Sequence, residues 1–159
     1  MASPEETKSD APGVSRRPAR PRRGSLGRAL IVEDDPILAM MIADALRDGG
    51  ARHVSVCPSV ASAMLELDRL KPEVLVLDVH LADRDDGWTM AELVIELSPS
   101  RPTIIFSTGT PESIPPHIAE LGTVLTKPFL PEELVAVVRG NRHRGLFTRL
   151  RDAISNASE

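Results

Sequence analysis

Apolar and polar positions change period along the chain in a regular way. An apolar run at residues 29–32, "ALIV", breaks off into "EDDP". The next stretch, "PILAMMIADALRDGG", has helical spacing, which predicts Ile37, Met40, Met41, Ala45 and Leu46 on one face. Pro36 suits the first helical turn, where its missing N–H costs nothing. Gly49 and Gly50 stop the helix. "HVSVC" has the β-branched character of a strand, and "SVASAMLELDRLK" predicts a helix with Ser59 as its N-cap. The alternation continues with the strand "EVLVLDV", apolar throughout, as a strand covered on both faces should be. Then come a helix "GWTMAELVIELSP", a strand "PTIIFST" and a short proline-broken helical piece "PESIPPHIAELG". A strand "TVLT" and a helix "PEELVAVVRG" complete the series. Five strands alternating with five helical segments predict an α/β fold with a parallel sheet between two helical layers.

In such sheets the ligand site lies outside the carboxyl ends of the strands. The first strand ends in Glu33, Asp34 and Asp35, and the third in Asp78. Ser107 and Thr108 end the fourth, and Lys127 the fifth. Near a protein surface two like charges about 4 Å apart repel by roughly 4 kcal/mol. Crowding several carboxylates at one edge therefore calls for something positive among them. Mg²⁺ takes oxygen ligands and is held by one or two carboxylates together with phosphate oxygens. A hydroxyl and an ammonium can hold the other phosphoryl oxygens, over which charge spreads in transfer. An Asp freed of repulsion in this way can form an acyl phosphate. The acids of "LIVEDDP" read as part of a metal site, with Asp78 as the acceptor.

Charge and composition sharpen this picture. Residues 1–28 carry +4, residues 29–141 carry −10 and residues 142–159 carry +2, which sum to the net −4 of the chain. An acidic body argues against DNA binding by the body and suits the collection of a cation. Residues 1–27 are rich in Arg, Pro and Ser and are expected to form a disordered basic tail. Residues 141–159 form a C-terminal extension in which Leu146, Phe147, Leu150 and Ile154 fall near helical spacing, suiting a short amphipathic helix. A single cysteine, Cys57, excludes a disulfide framework and is read as a small core residue. Trp88 is read as packing on a helix face. His53, His117 and His143 have no metal-ligand spacing and are read as surface residues. With neither a signal-peptide nor a membrane-span pattern, the chain is expected in the cytoplasm with no membrane association.

"LIVEDDP", "VLVLDVHL", "IIFSTG" and "LTKPF", in this order on an alternating chain, resemble the receiver domain of two-component response regulators. The resemblance covers about residues 28–140 and is closest to single-domain receivers. It implies a flavodoxin-like (βα)5 fold with strand order 2-1-3-4-5. It implies phosphotransfer to Asp78 from a sensor histidine kinase or a histidine phosphotransfer protein, with output through protein contact with a downstream target or through a phosphorelay. It makes Glu33 and Asp34 the metal-binding pair for Mg²⁺, with Asp78 and the backbone carbonyl of His80 completing the protein ligands. It makes Thr108 the switch hydroxyl and Lys127 the phosphate-binding lysine, and it implies a cis Lys127–Pro128 bond. This chain departs from the pattern at Val124, where an aromatic residue is usual, and in the loop "HLADRDDG", which lacks the usual proline. The stretch from Thr108 to Lys127 is also short. The family reading makes the protein a phosphoacceptor, with at most slow self-dephosphorylation, rather than an enzyme. Two other readings compete: a receiver-fold docking module that works without phosphorylation, and an Asp-nucleophile phosphatase of the haloacid dehalogenase type. The second lacks its acid/base Asp, since His80 stands two after Asp78.

Overall fold

The computed structural model describes residues 24–81 and 87–141. The strands are β1 (Gly27–Val32), β2 (Ala51–Cys57), β3 (Val74–Asp78), β4 (Thr103–Thr108) and β5 (Thr123–Thr126). The helices between them are α1 (Pro36–Asp48), α2 (Val60–Leu70), α3 (Thr89–Leu97) and the single turn α4 (Pro116–Ala119). A 3-10 turn at Pro111–Ser113 precedes α4, and a last helix, α5, covers residues 131–141. Every neighbouring pair of strands is parallel, in the order β2-β1-β3-β4-β5. This is the flavodoxin-like arrangement expected from the sequence. Among the described residues no helix is long and apolar enough to cross a membrane.

Strand side chains alternate between two cores, as the two-residue period requires. Leu30, Val32, Leu75, Leu77, Ile104 and Phe106 point to the layer that holds α2, α3 and α4. Ala29, Ile31, Val74, Val76 and Ile105 point to the layer of α1 and α5. All five residues of β3 are buried, which its unbroken apolar sequence requires of a central strand. Cys57 is buried, and burial pushes its thiol above the usual range, as suits a core residue. Trp88 is half-buried against the α2–α4 core, while His53 and His117 are exposed. His143 lies outside the described residues.

Helix starts follow local chemistry. Pro36 opens α1 and Gly49 caps its end. The Ser59 hydroxyl accepts from the Ser62 N–H at 3.1 Å, and the Ser62 hydroxyl accepts from the Ser59 N–H at 3.3 Å, a capping box built from two serines. Ser59→Ala is expected to cost about 1 kcal/mol, measured as a lower urea midpoint with an unchanged slope.

The buried face of α1 differs from the one its apolar spacing predicts. Ala39, Ile42, Ala43, Ala45 and Leu46 are buried, whereas Ile37 and Met40 are 75% and 60% exposed. Small Ala39 and Ala43 sit against the sheet, and Ile37 and Met40 lie roughly 100–200° around the helix from Ala39. The buried stripe Ala39, Ile42, Ala43 and Leu46 has i, i+3, i+4, i+7 spacing and mixes small and large side chains, which leaves Ile37 and Met40 on the outer side. The folded unit also extends a little beyond both predicted boundaries. Leu26 is buried in the α1–α5 core, its N–H donating to the Gly50 carbonyl at 3.0 Å, and β1 begins at Gly27. Asn141 donates to the Thr123 hydroxyl at 2.8 Å. The rest of the basic tail and of the C-terminal extension lies outside the described residues.

Candidate functional site

The carboxyl ends of β1, β3, β4 and β5 meet at one edge because the sheet is parallel and in register. Val32 pairs with Leu77, so Glu33 and Asp78 emerge side by side on the α1–α5 face. Lys127 follows β5 and reaches both: its Nζ donates to Glu33 Oε2 and to Asp78 Oδ2, each at 3.0 Å. Both carboxylates are buried. Oxygens of Glu33, Asp34 and Asp78 all lie within 4.8 Å of one another. Three carboxylates against one ammonium leave two negative charges, which is the charge one divalent cation balances. An all-oxygen set of this kind suits Mg²⁺.

Asp35, the third acid of the run, does something else. Its Oδ1 accepts from the N–H groups of Ile37 and Leu38, at 2.8 and 3.1 Å, and caps α1. An acid at a helix start is favoured by the exposed N–H groups and the dipole. Asp35 therefore stands apart from the carboxylate cluster, which is made of Glu33, Asp34 and Asp78. The Asp35 N–H in turn donates to Glu33 Oε1 at 3.1 Å and fixes that carboxylate.

Burial pushes Glu33 above the usual carboxylate range, against the hydrogen bonds from the Asp35 N–H and Lys127. Burial also works against the Lys127 ammonium, but hydrogen bonds and charge from Asp78 and Glu33 outweigh it and hold the lysine above its usual range. The site is therefore a tight carboxylate–ammonium cluster in which Lys127 stays charged.

Among the described residues Asp78 has one donor on each oxygen: Lys127 on Oδ2 and the His80 N–H on Oδ1, each at 3.0 Å. The loop beyond must pass close to it. A Cβ at Gly87 would lie 2.6 Å from the Asp78 carbonyl oxygen, so no larger residue fits there. The Lys127–Pro128 peptide bond is cis, as the resemblance implies.

The two hydroxyls that end β4 are separated by the strand pleat. Ser107 pairs in register with Asp78 and shares its face. Its hydroxyl is fully buried and has no hydrogen-bond partner among the described residues. Thr108 faces the opposite layer, the side of Val124, and its Oγ1 accepts from the Thr110 N–H at 3.0 Å. Ser107→Ala is expected to raise stability by about 1 kcal/mol, since an unpaired buried hydroxyl is costly. A urea midpoint shifted downward instead would show that the hydroxyl has a partner.

A feature beyond the sequence reading is the His80 ring. It is exposed and lies against Thr110 and Ser113, with Nε2 at 2.7 Å from Thr110 Oγ1 and 3.2 Å from Ser113 Oγ. No periodicity links positions thirty residues apart, so only the fold brings them together. Beside the acids, a cleft lined by Met40, Val56 and Pro58 opens on the α1 side.

Comparison with known proteins agrees with this geometry. Residues 29–139 match the response regulator receiver domain family. The transcriptional regulatory protein TrcR of Mycobacterium tuberculosis is 33% identical over 141 residues, covering 78% of this chain and 53% of TrcR. The crystal structure of the anti-anti-sigma factor PhyR of Bartonella quintana superposes with a TM-score of 0.61 at 25% identity, over 83% of this chain and 51% of that one. A CheY-like receiver domain of Methylobacillus flagellatus superposes with a TM-score of 0.65 at 21% identity, over 73% and 98% of the two chains, and shows the shared fold. The chain spans about half, or less, of the length of the curated relatives it matches. A parallel sheet in this order, with an acid pair, an Asp and a Lys at its carboxyl edge, and a family match over most of the chain lead to one assignment: the chain belongs to the response regulator receiver domain family.

Proposed function

We propose that the protein accepts a phosphoryl group on Asp78 from a phosphohistidine of a sensor kinase or phosphotransfer protein, and passes the signal to a target by protein contact or relay. The observation that carries this reading is the Lys127 ammonium bridging Glu33 and Asp78 at 3.0 Å each, with Asp34 in the same carboxylate cluster. In the transfer a carboxylate oxygen of Asp78 forms a bond to phosphorus as the N–P bond of the donor breaks, and the electron pair leaves with the imidazole. Glu33, Asp34 and Asp78, with the His80 carbonyl, would hold Mg²⁺. The ion supplies positive charge against the phosphoryl oxygens when bound. Lys127 then gives up a carboxylate hydrogen bond to hold a phosphoryl oxygen, and Thr108, which faces the other layer at the end of β4, turns its hydroxyl in to donate to another. The His80 N–H keeps Asp78 oriented throughout. The protein thereby acts as a phosphoacceptor rather than as an enzyme. We place this reaction in the cytoplasm, without DNA or membrane contact by the described body.

The test is intact-protein mass after incubation with acetyl phosphate, in Mg²⁺ and in EDTA. One phosphoryl group gained in Mg²⁺ and absent in EDTA is expected. No gain, from acetyl phosphate or from a phosphorylated histidine phosphotransfer domain, would replace this reading with that of a docking module.

A further inference from the structure

The hydroxyl that ends β4 is held from outside the acid cluster. Thr108 is fully buried, and its Oγ1 accepts from the Thr110 N–H at 3.0 Å. An oxygen that accepts there must aim its own proton elsewhere, and among the described residues that proton has no acceptor. The orientation of Thr108 therefore depends on where Thr110 sits. Thr110 is in turn fixed at two points. Its carbonyl accepts from the Ser113 hydroxyl at 2.7 Å, which commits the one Ser113 proton. Its own hydroxyl lies 2.7 Å from His80 Nε2 and 3.3 Å from Ser113 Oγ. Ser113 Oγ then offers only lone pairs, and the His80–Thr110 contact is a hydrogen bond with either tautomer of His80. If Nε2 carries a proton it donates to Thr110 Oγ1, which donates to Ser113. If Nε2 is bare, Thr110 donates to it. The backbone N–H of the same His80 donates to Asp78 Oδ1. One residue thus touches the acceptor carboxylate with its backbone and the support of the β4 hydroxyl with its ring.

We propose that His80, through Thr110 and Ser113, is a positioning residue that aims the Thr108 hydroxyl at the phosphoryl group arriving on Asp78. This rests on the phosphoacceptor reading above. The arrangement also suits a chain with Val124 in place of an aromatic residue, because it ties the 3-10 turn at Pro111–Ser113 directly to the acceptor loop.

Two measurements test it. The first needs no phosphoryl transfer. Amide exchange at Thr110 is expected to quicken in His80→Ala and in Ser113→Ala, by roughly two- to tenfold, the worth of one hydrogen bond. His80→Gln, which keeps a side chain able to bond Thr110, restores slow exchange. The second is the rate of phosphoryl uptake from acetyl phosphate in Mg²⁺. His80→Ala slows it by a similar factor, and His80→Gln recovers it. In a Thr108→Ala background, His80→Ala changes nothing further, because it acts through that hydroxyl. Unchanged Thr110 exchange in His80→Ala would overturn the proposal, as would an equal loss of rate in the Thr108→Ala background. A wild-type protein that takes up no phosphoryl group under any condition would instead sink the acceptor reading, and the exchange measurement would still decide whether His80 holds Thr110.

Discussion

Asp78→Asn is expected to take up no phosphoryl group under conditions that load the wild type with one, and to stay folded. Asn has nearly the shape of Asp, so its carbonyl oxygen can keep either the His80 N–H or the Lys127 ammonium as a donor. It lacks the second anionic oxygen that must attack phosphorus, and among the described residues two neighbouring carboxylates are already engaged. Glu33 is occupied by the Asp35 N–H and Lys127, and Asp35 caps α1. The substitution also removes one of three carboxylates within 4.8 Å of one another. At an effective dielectric near 20, a like-charge contact at such a distance is worth a few kcal/mol. The variant also loses the Lys127 attraction at 3.0 Å, though Lys127 keeps Glu33, so the two effects oppose and it is expected to melt close to the wild type in EDTA and to gain less from Mg²⁺. Intact mass and paired thermal melts check both parts. A phosphoryl group retained by the variant would remove Asp78 from the role, and a lower melting temperature in EDTA would show that the carboxylate stabilises the fold.

Lys127→Met carries the second large effect, on stability. Lys127 is the one cation within hydrogen-bond distance of Glu33 and Asp78 among the described residues. Removing one partner of a buried ion pair costs about 3–5 kcal/mol, because the charge left behind is desolvated and unpaired. The ammonium side chain is 23% exposed, which places the expectation at the lower end, about 3 kcal/mol. Mg²⁺ should recover most of it, since a ligand at a hundred times its dissociation constant stabilises by about 2.7 kcal/mol. The pH dependence has a definite sign. Glu33 is already raised above its unfolded value, chiefly by burial, and loss of Lys127 raises it further. The folded state then binds a proton more tightly than the unfolded state does, so stability falls as pH rises through the folded value. The deficit of the variant should be largest at neutral pH and should shrink on acidification. Equal melting temperatures of variant and wild type in EDTA at neutral pH would show that the ammonium does not support the cluster.

Much of this molecule is legible in short stretches of sequence. Pro36 and Ser59 mark helix starts because a missing N–H and a capping hydroxyl act within one turn. The apolar run of β3 marks a central strand because helical layers bury both of its faces. Glu33, Asp78, Thr108 and Lys127 were visible as strand ends because a parallel sheet gathers those ends wherever they lie in the chain.

What the tertiary structure decided are matters of distance and facing. Ile37 and Met40 turn outward because the stripe of Ala39, Ile42, Ala43 and Leu46 is the one that packs inward, a contest between faces of one helix that its spacing alone does not settle. Asp35 caps α1 while Asp34 joins the acid cluster, although the two are adjacent and chemically alike, because only one of them falls where the helix N–H groups converge. The pleat of β4 sends Ser107 to the side of Asp78 and Thr108 to the side of Val124. His80 meets Thr110 and Ser113 across two loops. Residue types and local periods are properties of neighbours along the chain, and they determined the elements and the chemistry at the strand ends. Which acid faces which donor depends on the packing of elements thirty to ninety residues apart, and only the folded sheet supplies that.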